Sequence, residues 1–195
     1  MKEKINLVYI DDEPDMAISR YLEDNYRNDN ADVDYKEFIF KCEEGYESLL
    51  ESKEINLANV ILIDSKLFEN DNIRHKGKFS GEEFKMILRK LFPFIEVLVI
   101  SQNGENEAYE IIPKYRSGTS EKSEDYYDRV LKGKIDESIR KVIIFRNISK
   151  KLGRNKGLEE VLVEKTMDSL NGIRDYENLK KEDIDHLIAA FQQIK

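Results

Sequence analysis

The 195-residue chain contains one cysteine, two histidines, three prolines and no tryptophan. The lone Cys42 cannot form an intramolecular disulfide, so we expect a small apolar residue in a protein of a reducing compartment. With so few histidines and cysteines, no spacing typical of a zinc site occurs. The nine glycines likewise form no phosphate-binding glycine pattern.

Long apolar runs are absent too. No stretch approaches the roughly 20 apolar residues of a membrane-spanning helix, and the first residues, Met-Lys-Glu-Lys, lack the apolar core of a signal peptide. Hydrophobic residues make up 40% of the chain and charged residues 37%, which is typical of a highly charged globular protein. The sequence therefore predicts a cytoplasmic protein without a membrane partner.

The net charge of −8 is unevenly distributed. Residues 1–118 carry a net charge of −9 and residues 119–195 a net charge of +1, and the stretch 129–157 holds ten basic residues against two acidic ones. Such a stretch predicts either a solvated helix face or one that docks on an acidic surface of its own chain or a partner. Nucleic-acid binding is the alternative, but the sequence shows no helix-turn-helix and no aromatic stacking platform, so we expect no nucleic-acid partner.

Apolar runs that end in polar residues define the first part of the chain. Residues 5–10 (Ile-Asn-Leu-Val-Tyr-Ile) read as a buried strand that ends in Asp11 and Asp12, followed by a helix with Pro14 in its first turn and Asp12 or Glu13 as its cap. Further strands are predicted at 33–40, at 60–64 ending in Asp64, at 95–101 ending in Ser101, and at 110–115 as a proline-containing edge strand with Lys114. Helices between them are predicted over 15–26, from 43 to 50, and from 80 to about 92.

The alternation of strands and helices predicts an α/β domain over residues 1–118, built as a doubly wound parallel sheet of the flavodoxin-like kind. Beyond it the alternation stops, and residues 119–195 predict an all-α helical region. This region comprises one long helix over 121–152 and two shorter ones near 157–171 and 181–194. The apolar stripe of the long helix is typical of a helical bundle or a dimer seam.

Three carboxylates follow two of the predicted strands. Asp11, Asp12 and Asp64 should meet at one edge of the sheet, where their like charges repel unless a cation compensates them. Mg²⁺ suits such a site, because it prefers a few carboxylates and keeps several waters. An aspartate beside Mg²⁺ is well placed to attack a phosphoryl group, with Ser101 and Lys114 available to contact the phosphoryl oxygens.

This constellation resembles the receiver domain of two-component response regulators over roughly residues 4–116. The resemblance rests on the acidic corner 11–13, Gly45 near the start of the second helix, Asp64 at a strand end, the helix start 80–84 (Ser-Gly-Glu-Glu-Phe) and the strand-ending Ser101.

The resemblance assigns a role to each site residue. It implies that Asp64 is the phosphoacceptor and that Asp11 and Asp12 hold Mg²⁺ together with Asp64 and the backbone carbonyl of Lys66. Ser101 would be the switch hydroxyl, and Lys114 would pair with the phosphate. The implied protein takes its phosphoryl group from a histidine kinase or another phosphodonor and acts as a signalling protein rather than a turnover enzyme. Its output would pass through protein contacts or self-association of residues 119–195.

The sequence departs from the receiver pattern in its later part. The loop after Asp64 is long and lacks the proline that commonly follows the acceptor, and the segment from Ser101 to Lys114 is too short for the usual helix and strand. Ile112 also stands where the family often has a switch aromatic. These departures motivate a second hypothesis, a phosphorylation-independent pseudo-receiver that serves as an adaptor. A Mg²⁺-dependent phosphatase of the haloacid-dehalogenase type is a third, although Asp11 with Glu13 matches that motif poorly.

Overall fold

The structure is a computed structural model that describes residues 2–41, 45–67, 80–92, 94–102, 111–118 and 120–152. The strands are β1 (Glu3–Asp11), β2 (Ala31–Ile39), β3 (Val60–Asp64), β4 (Glu96–Ser101) and β5 (Ile112–Pro113). The helices are α1 (Met16–Arg20), which continues into a π-helical turn (Tyr21–Asn25), then α2 (Glu47–Glu51), α3 (Lys53–Asn56), α4 (Gly81–Leu91), α5 (Ser123–Val130) and α6 (Lys132–Leu152).

The five strands form one parallel sheet in the order β2-β1-β3-β4-β5. The chain places β2 on one side of β1 and all later strands on the other side, so the direction of winding reverses between β1 and β3. Every residue of β3 is buried, because helices cover both faces of the sheet. The predicted α/β class with a parallel sheet is confirmed.

Each face of the sheet has its own hydrophobic core. On one face, side chains of α2, α3 and α4 pack against alternate residues of β1, including Val8 and Ile10. On the other face, α1, the π-helical turn, α5 and α6 pack against Ile5, Leu7 and Tyr9. Alternation along β1 therefore sends neighbouring side chains into opposite cores, as expected for a central strand between two helical layers.

The first helix begins later than the sequence indicated. Asp15, rather than Asp12 or Glu13, caps α1, because its carboxylate accepts hydrogen bonds from the backbone N–H groups of Ala17 and Ile18. Pro14 precedes this cap instead of occupying the first turn. Asp12 is therefore not the helix cap.

Helix α4 begins in a capping box. The Ser80 hydroxyl accepts a hydrogen bond from the Glu83 N–H at 3.3 Å, and the Glu83 carboxylate accepts one from the Ser80 N–H at 2.9 Å. The reciprocal pair satisfies two N–H groups at the start of the helix. It positions the buried stripe of Phe84, Ile87 and Leu88 against the sheet.

We expect Ser80→Ala to lower the free energy of unfolding by about 1 kcal/mol, the usual contribution of a serine cap. Urea denaturation followed by circular dichroism measures this difference. Ser120→Ala is the control, because Ser120 is exposed. Equal midpoints for the two variants would contradict the role of the capping box.

Residues between 123 and 143 pack on the sheet. Buried apolar residues of α5, of α6 and of the junction between them join the core that contains Tyr9, namely Tyr127, Leu131, Ile135, Ile139 and Val142. The sequence predicted that this apolar stripe forms a helical bundle or a dimer seam. From Tyr127 to Val142 it packs against the sheet instead. The predicted single helix over 121–152 is instead two helices that meet at Leu131, two residues before the unfavourable Gly133.

Several predictions concern residues outside the described ranges. They include the environment of Cys42, most of the loop after Asp64, and the helices near 157–171 and 181–194. The boundary at residue 118 stays a prediction, since much of 119–195 lies outside the described residues. Within the described residues, no helix is both long enough and apolar enough to cross a membrane.

Candidate functional site

Two carboxylates converge at the carboxyl edge of the sheet. Asp11 is the last residue of β1 and Asp64 the last residue of β3, and these two strands are neighbours in the sheet. Both side chains belong to buried residues, with relative exposures of 2% for Asp11 and 6% for Asp64. They lie at the reversal between β1 and β3, the place where open α/β sheets generally bind their ligands.

Lys114 joins the two carboxylates. Its Nζ lies 2.7 Å from Asp64 Oδ1 and 2.9 Å from Asp11 Oδ2. Lys114 follows β5 directly, and its backbone N–H donates to the carbonyl of Ser101 at 2.8 Å. This bond continues the pairing of β5 with β4, so the sheet itself brings the lysine over the two aspartates.

Tyr9 is a site residue that the sequence analysis missed. Its hydroxyl donates to Asp11 Oδ2 and accepts a hydrogen bond from the backbone N–H of Asp15 at 3.3 Å. The ring is fully buried in the core beneath α1 and α5. The sequence did contain the information needed to find it. Residues two apart on a strand face the same side of the sheet, which places Tyr9 beside Asp11.

Backbone N–H groups complete the contacts of the two carboxylates. The N–H of Glu13 donates to Asp11 Oδ1 at 3.0 Å, and the N–H of Lys66 donates to Asp64 Oδ2 at 2.7 Å. Each carboxylate is thus fixed at both oxygens. Lys66, predicted to act through its carbonyl, contributes its N–H in this structure, and its side chain is exposed.

Burial and charge act together on the site. Burial, with a smaller effect from the nearby Asp64 charge, raises the pKa of Asp11. The hydrogen bonds from Tyr9 and Lys114 lower it, but they do not cancel the increase. Burial alone would lower the pKa of Lys114, but the hydrogen bonds and charges of Asp64 and Asp11 outweigh it and raise that pKa. Burial and the Asp11 charge raise the pKa of Tyr9 far above its ordinary value. Lys114 therefore remains a cation and Tyr9 a neutral donor at neutral pH.

The remaining predicted residues surround this centre. Asp12 is half-buried and follows Asp11 directly, while Ser101 is buried as the last residue of β4. Ser101 is joined to Lys114 through the backbone hydrogen bond given above. The structure brings Asp11, Asp64 and Lys114 into direct contact, with Asp12 and Ser101 adjacent to them along the chain and the sheet.

Helix α4 begins against the end of β3. The Gly81 N–H donates to the Ser65 carbonyl at 2.9 Å, and a Cβ on Gly81 would lie 2.3 Å from the Asp64 carbonyl oxygen. The Ser65 hydroxyl donates to Glu82 Oε1 at 2.6 Å. Only glycine permits this approach, which explains why glycine follows the Ser80 cap.

The donor set fits Mg²⁺ in part. Proteins usually hold this ion through one or two carboxylates and several waters, and Asp11 and Asp64 converge closely enough to share one ammonium group. Among the described residues, however, no group of three or more His, Cys, Asp or Glu side chains is placed to hold a metal ion. Asp11 and Asp64 thus form a convergent pair of carboxylates and not a larger cluster of ligands among the described residues.

The basic stretch of the sequence makes contacts within the chain. Arg146 and Lys150 of α6 both pair with Glu3 of β1, at 3.1 and 2.7 Å, and Lys141 pairs with Glu96 of β4 at 3.4 Å. These ion pairs lie at the amino edge of the sheet, opposite the carboxylates. This part of the stretch docks on acidic residues of its own chain, one of the two interpretations offered by the sequence.

Comparisons of the chain with protein-family models, with curated proteins and with solved structures gave no match.

Proposed function

We propose that this chain is an atypical receiver that accepts a phosphoryl group on Asp64 and signals through protein contacts. The observation that supports the proposal most directly is the buried contact of Lys114 Nζ with both Asp64 and Asp11 at the reversal point of a parallel sheet. In this proposal a histidine kinase or another phosphodonor supplies the phosphoryl group. Residues 119–195 provide the output, either to a protein partner or to a second copy.

Asp64 is held in one orientation before any reaction. Lys114 Nζ fixes its Oδ1 and the Lys66 N–H fixes its Oδ2, both at 2.7 Å. A nucleophile that is already oriented avoids part of the entropic cost of reaching the transition state. Asp11 is also fixed at both oxygens, but it is more deeply buried and its Oδ2 is bonded to Tyr9 as well as to Lys114. Asp64 is therefore the acceptor.

Lys114 stabilises the charge that the transferred group brings. A phosphoryl group carries negative charge on its oxygens, and the ammonium group is already positioned 2.7 Å from the acceptor carboxylate. A fixed cation in a buried site acts more strongly than the same cation in water. Asp11 holds the ammonium from its other side at 2.9 Å and so positions it.

A metal ion is part of the proposal. Asp11, Asp64 and the adjacent Asp12 would hold Mg²⁺ together with the Lys66 carbonyl, as the receiver resemblance implies. An ion held there would supply neutralising charge for the transferring oxygens. Lys114 would act on the transferring oxygens from the protein side, while the backbone N–H groups of Glu13 and Lys66 hold the two carboxylates.

The proposed transfer balances without a further reactant. With acetyl phosphate as donor, a carboxylate oxygen of Asp64 forms a bond to phosphorus while the bond between phosphorus and the acetate oxygen breaks. Acetate leaves with the electron pair, and Asp64 becomes an acyl phosphate. No proton transfer is required, because the attacking group is already a carboxylate.

Incubation with acetyl phosphate and MgCl₂ tests this proposal, with intact mass spectrometry as the readout. We expect the mass of one phosphoryl group on the wild type and none on Asp64→Asn or without Mg²⁺. Asp24→Asn is the matched control, because Asp24 is exposed on the π-helical turn and should leave uptake unchanged. A phosphoaspartate formed in the Asp64→Asn variant would refute the assignment.

A phosphorylation-independent adaptor is the second candidate, and one observation favours it. Lys114 already compensates one of the two buried carboxylate charges, so the site is held together without a metal ion. Calorimetric titration with MgCl₂ separates the two candidates. Binding together with phosphoryl uptake supports the receiver, whereas neither binding nor uptake supports the adaptor.

A further inference from the structure

Strand β2 forms one edge of the sheet and is unusually long. It pairs with β1 over nine residues in an unbroken register from Ala31 to Ile39. Strands in globular proteins are typically about 5–6 residues long, and exposed edges are usually short or interrupted by proline or a bulge. β2 contains neither proline nor a bulge, and the protection it does carry is charge, on Asp32, Asp34, Lys36 and Glu37.

The outward hydrogen-bonding groups of β2 belong to its odd-numbered residues. The N–H of Phe40 donates to the carbonyl of Asp11 at 2.9 Å. The backbone N–H and C=O groups of the even-numbered residues of this segment therefore point towards β1. Because neighbouring residues of a strand direct these groups to opposite sides, Val33, Tyr35, Glu37 and Ile39 direct theirs outward. Within the described residues, no group bonds these four N–H groups. The N–H of Ala31 is bonded to Asn28 Oδ1.

We propose that β2 is a self-association edge, on which β2 of a second copy pairs antiparallel about a two-fold axis through Tyr35. In this register the outward-directed residues face one another, Tyr35 against Tyr35 and Val33 against Glu37 of the second copy. The even-numbered residues then place Asp34 opposite Lys36, twice across the axis. Directly opposed unlike charges stabilise a sheet, whereas opposed like charges destabilise it.

Charge selects this register over its neighbours. Moving the axis by one residue towards the start of the strand places Asp34 opposite Asp34 of the second copy, although it also places Lys36 opposite Asp32 twice. The proposed register has the same number of unlike pairs and no pair of directly opposed like charges. Moving the axis by one residue the other way places Lys36 opposite Lys36. Lys36 Nζ lies 4.0 Å from Asp34 Oδ2 of its own chain, an ion pair at the distance limit. Both side chains are well exposed, at 66% for Asp34 and 54% for Lys36, so an incoming strand can reach them.

Shape supports the same occupant. On the α1 side of the strand lies an open groove of about 1240 Å³, lined mainly by charged and polar residues, with Leu22, Tyr26, Ala31 and Val33 among its apolar ones. Ile39 is an apolar residue with an exposed fraction of 59%. The proposed register places Ile39 of the second copy opposite Ala31, beside this groove, so the pairing covers an exposed apolar side chain.

Reversing the charge at position 34 or 36 tests the proposal. Sedimentation equilibrium over a series of protein concentrations measures the dissociation constant of the dimer. We expect the wild-type chain to dimerise reversibly. Asp34→Lys and Lys36→Asp should each weaken the dimer about tenfold or more, because either change opposes like charges twice. The double variant D34K/K36D should recover the wild-type affinity. Lys90→Asp, a charge reversal at an exposed residue of α4, which contacts β4 rather than β2, is the matched control and should dimerise as the wild type does.

Mixing the two single variants gives the sharpest result. A 1:1 mixture of Asp34→Lys and Lys36→Asp should form a heterodimer, because every opposed pair is then unlike. Circular dichroism of each variant alone confirms that it is folded. A wild type that is monomeric at all concentrations overturns the proposal, as does a dimer that both single variants retain or a mixture that stays monomeric.

Discussion

Gly81→Ala should lower the free energy of unfolding by about 3 kcal/mol, at the upper end of the usual cost of overpacking. The added Cβ would lie 2.3 Å from the Asp64 carbonyl oxygen and 3.0 Å from both the Asp64 carbonyl carbon and the Ser65 Cα. All three are backbone atoms, so no side-chain rotation relieves the clash. The start of α4 or the end of β3 must move, and the bond from the Gly81 N–H to Ser65 must lengthen.

The same displacement should reach the candidate site, because Asp64 provides one of the clashing atoms. Urea denaturation measures the stability change, and phosphoryl uptake from acetyl phosphate measures the effect on the proposed acceptor. Gly133→Ala is the matched control, since a Cβ at Gly133 meets nothing within 4 Å. Alanine in helix α6 should raise stability by up to about 1 kcal/mol. Equal stability of the wild type and Gly81→Ala would show that α4 does not start as tightly on β3 as the structure indicates.

Lys114→Met should lower the free energy of unfolding by about 3–5 kcal/mol, the usual cost of removing one partner from a buried ion pair. Methionine retains much of the length and the apolar part of lysine, so the loss of the charge dominates. Without the ammonium group, the buried Asp11 and Asp64 lose their shared cation, and their donors among the described residues are then Tyr9 and two backbone N–H groups.

A second substitution identifies the cause. Asp64→Asn in the Lys114→Met background removes one of the two repelling charges and should restore part of the lost stability, a non-additive result that a double-mutant cycle detects. Lys150→Met is the control, because Lys150 also forms a 2.7 Å ion pair but is 58% exposed. That exposed pair should contribute no more than about 1 kcal/mol. Equal losses for the two methionine variants would contradict the importance of burial.

The strands and their polar ends were predictable because the relevant information is local. An apolar run such as 60–63 must be buried on both faces, and the carboxylate that ends it must lie at an edge of the sheet. Parallel strands share their carboxyl edge, so placing Asp11 near Asp64 required only the fold class. The contact of Tyr9 with Asp11 follows from the two-residue period of a strand, although the sequence analysis did not use it.

The helix cap and the packing partner of the last helices depend on tertiary neighbours, which the sequence does not specify. Asp12, Glu13 and Asp15 can each cap a helix, and only the exit path of β1 selects Asp15. The apolar stripe beginning at Tyr127 requires burial but does not specify a partner. It fits a bundle, a dimer or a sheet, and the tertiary structure assigns it to the sheet.

The sequence by itself determined a parallel α/β fold with acidic strand ends, because hydrophobic periodicity and strand termination are local properties of the chain. Only the tertiary structure decided that Lys114 holds both carboxylates, that Gly81 lies against the backbone of Asp64, and that β2 presents a nine-residue edge. These three features join residues distant in sequence or depend on a strand's position in the sheet. Such relations arise from packing, which a one-dimensional pattern does not encode.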